Sequence, residues 1–106
     1  MASTVRTKRS RASLPTDLQA FCKRLGITRY VPVALRLLKE CFPKVRDLQM
    51  YPECDPESGE EWLVLQIRVP GSVDEVRRQY DDYTRKKIVA IPPRHIASIR
   101  LHHYLA

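Results

Sequence analysis

The turn "DPESGE" at residues 55–60, running into "EWLVLQIRV" at residues 61–69, constrains this chain more than any other stretch. Pro56 supplies the fixed φ of a first turn position and Gly59 tolerates a positive φ, which is the chemistry of a short hairpin loop. After it, Leu63, Leu65, Ile67 and Val69 alternate with Trp62, Val64, Gln66 and Arg68. A period of two is a strand with one core-facing side. Before the turn, residues 44–53 alternate as well, with Leu48 and Met50 on one side and Val45, Gln49 and Tyr51 on the other. A β-hairpin therefore sits in the middle of the chain, and the flanking segments must cover its apolar side.

Eight prolines and three glycines fall almost entirely between periodic segments and punctuate them. Leu18, Phe21, Cys22 and Leu25 share a helical face that begins after Pro15 and stops at Gly26. A second helix starts near Pro32, carries Val31, Ala34, Leu35, Leu38, Cys41 and Phe42 at spacings of three and four, and ends at Pro43. Ser72 with Glu75 forms a capping box for a third helix whose expected buried stripe is Val73, Val76, Tyr80, Tyr83 and then Lys87 or Ile88. Pro92 and Pro93 end it, and "SIRLHHYL" alternates Ile99, Leu101, His103 and Leu105 against Arg100, His102 and Tyr104. The predicted order is α-α-β-β-α-β, an α+β fold with a small antiparallel three-stranded sheet and helices packed on one face.

An apolar fraction of 43% over 106 residues supports one core and not two. Residues 1–13 read as a basic disordered tail and residues 14–106 as a single α+β domain. No apolar run approaches the roughly 20 residues of a membrane span, and the N-terminus lacks the apolar middle of a secretory signal. A soluble, cytoplasmic protein is expected. Cys22, Cys41 and Cys54 are widely spaced and form no CxxC, which argues for reduced thiols rather than a disulfide framework or zinc knuckle.

Charge is segregated within a net of +7. Arg6, Lys8, Arg9 and Arg11 stand in the tail without an acid, whereas Glu53, Asp55, Glu57, Glu60 and Glu61 crowd the hairpin tip without a base. The tail, with Lys23, Arg24, Arg29 and the first helix pair, offers a phosphate-binding surface whose affinity would fall with salt. "DLQAFCKRLGITRYVPVALRLL" has some of the spacing of a DNA-reading helix-turn-helix. Pro32 opposes that reading, because inside a recognition helix it costs about 3 kcal/mol, and at the helix start it lengthens the turn beyond the motif.

The sequence contains no GxSxG, no P-loop, no HExxH and no Gly-rich dinucleotide fingerprint. A Cys/His pair such as Cys54 with His103 is the one catalytic arrangement that spacing leaves open. A metal would have to draw on His95, His102, His103 and the cysteines, yet adjacent His102 and His103 point to opposite sides of a strand. Neither a cofactor, a metal nor a small-molecule substrate is expected, and the chain reads as non-enzymatic.

Parity then selects the candidate site. The side of the sheet turned away from the core should carry Tyr51, Trp62, Val64, Arg68, Arg100, His102 and Tyr104. Aromatic and arginine side chains together are the chemistry of a protein interface. The expected function is an interaction module that docks a protein partner or a second copy of itself, of which an antitoxin-like protein is one concrete form. The alternative is nucleic-acid binding through the basic tail and the first helix pair.

Overall fold

The computed structural model describes residues 16–106, and within them the predicted element order is the one observed. Helix α1 spans Thr16–Leu25, and Gly26 ends it with φ +74. A 3-10 turn over Thr28–Tyr30 leads into α2, Val31–Cys41, with Pro32 in its first turn, where a missing N–H costs no hydrogen bond. The strands are β1, Asp47–Cys54, and β2, Glu61–Val69. Helix α3, Val73–Ala90, opens with the Ser72 hydroxyl accepting a hydrogen bond from the Glu75 N–H. The segment after Pro92 is a one-turn helix, α4, Pro93–Ile96, followed by β3, Ile99–Leu105.

The sheet order is β1-β2-β3. β1 and β2 form the expected antiparallel hairpin, but β3 runs parallel to β2, so the sheet is mixed rather than antiparallel. The reason is the crossover: α3 carries the chain back to the end of the sheet where β2 began, and a strand started there must run in β2's direction.

One face of the sheet contributes Met50, Leu63, Leu65, Ile67, Val69, Ile99 and Leu101 to a core completed by α1, α2 and α3 through residues such as Phe21, Leu38, Phe42 and Tyr83. Val45 precedes β1 and packs against this core instead of joining the outer face. Within α3 the buried positions are Val76, Tyr83 and Lys87, whereas Val73 and Ile88 are each 57% exposed. The Lys87 ammonium is held by the Ile99 carbonyl and lies 5.9 Å from the centre of the Tyr83 ring. No helix among the described residues is long and apolar enough to cross a membrane.

Candidate functional site: the outer face of the sheet

Register turns alternation into a map of the face opposite the helices. Tyr51 pairs with Val64 and Val64 with Arg100; Gln49 pairs with Gln66 and Gln66 with His102; Asp47 pairs with Arg68 and Arg68 with Tyr104. Glu53 stands opposite Trp62 at the hairpin end. Every one of Tyr51, Trp62, Val64, Arg68, Arg100, His102 and Tyr104 thus falls on one surface, and none of them belongs to the core cluster.

Val64 has no solvent exposure although no helix among the described residues lies over it, and Tyr51 and Arg100 flank it across the strands. The Tyr51 hydroxyl donates to Gln66 Oε1 at 3.0 Å, and the Trp62 indole N–H donates to Glu53 Oε1 at 3.1 Å. Partial burial, then the neighbouring Glu53 and Tyr104, push the Tyr51 hydroxyl pKa up. The Arg100 guanidinium lies 3.8 Å from the centre of the Trp62 ring, donates to the Ala97 carbonyl at 2.8 Å and meets Glu60 Oε2 at 3.0 Å. Such a stack on tryptophan contributes about 0.5–2 kcal/mol and, with the Glu53 hydrogen bond, restrains the indole. Tyr104 remains 52% exposed at the far end.

Alternation set Gln49 and Gln66 on this side of the strands without marking them as part of the site, and sequence reasoning missed its acidic members Asp47, Glu53 and Glu60. The hairpin register was the signal, since it sets Glu53 beside Trp62. The acidic tip is also explained locally: Asp55 accepts the Glu57 N–H at 2.9 Å, a bond that holds its carboxyl below the usual range, and Glu60 and Glu61 brace arginines.

The other sequence-selected groups are dispersed. Arg6, Lys8, Arg9 and Arg11 lie outside the described residues. Lys23 and Arg29 are exposed at the end of α1 and in the 3-10 turn, while Arg24 makes a two-pronged contact with Glu61 at 2.8 and 2.9 Å. Cys54, exposed at the end of β1, pairs with Glu61, whereas His103 pairs with Ile67, six residues further along β2. At about 3.3 Å per residue that places them roughly 20 Å apart, beyond any Cys/His pairing. Burial raises the Cys22 thiol pKa; burial and then the adjacent Asp82 carboxylate raise that of Cys41 to about 11. His102 lies on the outer face and His103 on the helix side, its ring centre 4.9 Å from that of Tyr80. Among the described residues no three histidines, cysteines or carboxylates gather as a metal site would require.

A groove of about 340 Å³ was not foreseen. Val73, Val76, Arg77 and Tyr80 of α3 line it with His103 and Leu105 of β3. Only the parallel placement of β3 brings these two segments together. Comparison with protein-family models, curated proteins and solved structures finds no match for this chain.

Proposed function

We propose that the protein is a non-enzymatic interaction module that binds a protein partner through the outer face of its sheet. The observation that carries the reading is the composition of that face. It gathers Tyr51, Trp62, Tyr104, Arg68 and Arg100 around Val64 and holds no lysine, and enrichment in aromatics and arginine with depletion of lysine is the mark of interfaces over ordinary surface. Rigidity supports it too. Trp62 and Tyr51 are already held by Arg100, Glu53 and Gln66, so docking orders few free side chains.

The same groups disfavour nucleic acid at this face. Arg100 already occupies one side of the Trp62 ring, where a base would stack, and Asp47, Glu53 and Glu60 offset the arginines. The basic tail lies outside the described residues, and of the helix-pair cations Lys23 and Arg29 are exposed while Arg24 is engaged by Glu61.

A photo-activatable cross-linker placed in turn at Arg68, Gln49, Arg36 and Arg78 tests the reading inside cells that express the full chain. Positions 68 and 49 lie on the outer face, while Arg36 and Arg78 are exposed on α2 and α3. The expected result is a discrete protein adduct from 68 and 49 and none from 36 and 78. Adducts only from the helices would overturn it, as would adducts that disappear on nuclease treatment.

A further inference from the structure

The two edges of the sheet are built differently. The Asp55 N–H donates to the Glu60 carbonyl, so odd-numbered β1 residues turn their backbone groups toward β2 and even-numbered ones away from it. Pro52 is even-numbered, and the edge there lacks a donor, a usual device against strand addition. On β3 the Ser98 carbonyl accepts from Leu63 and the Ala106 N–H donates to Val69, so the odd residues face outward. Lys87 occupies the Ile99 carbonyl. Leu101, His103 and Leu105 then present their N–H and C=O groups to an edge that no other strand among the described residues covers. The strand from Leu101 to Leu105 carries neither proline, lysine nor acid.

We infer that this edge pairs with the same edge of a second copy, antiparallel, about a two-fold axis through His103, giving a continuous six-stranded sheet. The inference is independent of the outer-face reading. The free groups select the register. Centring on His103 sets Leu101 against Leu105 of the other copy and His103 against its own counterpart, and it closes about six backbone hydrogen bonds with the groups left open. Side chains agree with that register. On the helix side leucine meets leucine, on the outer face His102 meets Tyr104, and no like-charged arginines or lysines oppose each other. Self-complementarity of this kind is what an isologous interface requires.

Surface chemistry at the same end supports a second copy as the occupant. Val73 is 57% exposed and Leu105 47%, and both border the apolar groove beside β3. The groove is lined by α3 and β3 and not by β2, so it opens past the edge, where the incoming Leu101 would lie next to Leu105. Tyr104, 52% exposed, lies on the outer side of the same segment.

Sedimentation velocity of the full chain over a range of micromolar concentrations should show a species of twice the monomer mass whose population rises with concentration. The register is tested by a Cys54→Ser/His103→Cys variant. Paired residues of this kind stand about 5.5 Å apart between Cα atoms, within disulfide reach, so mild oxidation should convert it to a covalent dimer. A Cys54→Ser/Gln49→Cys control, on β1, should not convert. Leu105→Lys, at a residue 47% exposed, should shift the chain toward monomer with an unchanged circular dichroism spectrum. A parent chain monomeric at every concentration would overturn the inference, and so would a dimer that cross-links through position 49 and not 103. Because the Arg68 and Gln49 adducts do not depend on β3, the failure of one reading leaves the other measurable.

Discussion

Lys87 is the residue at which burial and charge conflict most openly. Its side chain is 9% exposed, and desolvation, followed by the nearby Arg100, lowers its pKa from 10.5 to about 8. Between those values the unfolded chain holds a proton that the folded chain releases, so this group makes stability rise with pH from about 8 toward 10.5 and disfavours folding below. Cys41 acts in the opposite sense. Its pKa is raised from 9.0 to about 11, so its contribution is complete below pH 9 and fades as pH climbs through the folded value. Lys87→Met isolates the first effect. A charge cost of roughly 3 kcal/mol disappears, and the Ile99 carbonyl loses a partner worth about 1 kcal/mol, so at pH 7 the variant should be more stable by about 1–2 kcal/mol. Urea unfolding of parent and variant at pH 7 and pH 9.5 measures this, and the advantage should shrink at the higher pH. The outer-face residues were legible from sequence because parity alone fixes a side chain's face. Their partners were not, since Arg100 meets Glu60 across 40 residues and Arg24 meets Glu61 across 37, and only tertiary proximity brings such pairs together.

Among the elements, α3 decides the topology. Its 18 residues extend about 27 Å and β2's nine extend about 30 Å, so one helical crossing returns the chain to the start of the sheet. The parallel direction of β3 followed from those lengths, whereas the alternation of "SIRLHHYL" identifies a strand without giving its direction. The same limitation hid the groove, because Val73 reads as part of a buried stripe until β3 is placed and leaves it beside an open edge. Where the signal is local the sequence is more informative. Ser72 has extended backbone angles, φ −77 and ψ 163, and its hydroxyl accepts the Glu75 N–H at 3.1 Å, as the capping box implies. Ser72→Ala should cost about 1 kcal/mol in denaturant unfolding with an unchanged denaturant slope. A loss below a few tenths of a kilocalorie would show that neighbouring packing, not the cap, starts α3.

At the scale of the molecule, the fold is a single apolar layer between one sheet face and three helices, and on the opposite sheet face Val64 is buried while Arg68 and Tyr104 stay exposed. β2 is the hinge of that arrangement. It is the only strand bonded on both sides among the described residues, and Leu63, Val64, Leu65 and Val69 have no solvent exposure. Its amides should exchange with solvent only on global unfolding and be the slowest in the molecule. β3 should behave differently from residue to residue. Arg100, His102 and Tyr104 turn their N–H groups toward β2 and should be protected at any concentration. Leu101, His103 and Leu105 turn theirs outward, so in the monomer they should exchange quickly despite lying between protected neighbours. Pairing of two copies along this edge would slow those three in step with protein concentration while leaving the even-numbered amides unchanged. Residue-resolved hydrogen exchange at two concentrations therefore separates an edge covered by a second copy from one covered by the chain itself. In the latter case the odd-numbered amides would be equally slow at both concentrations.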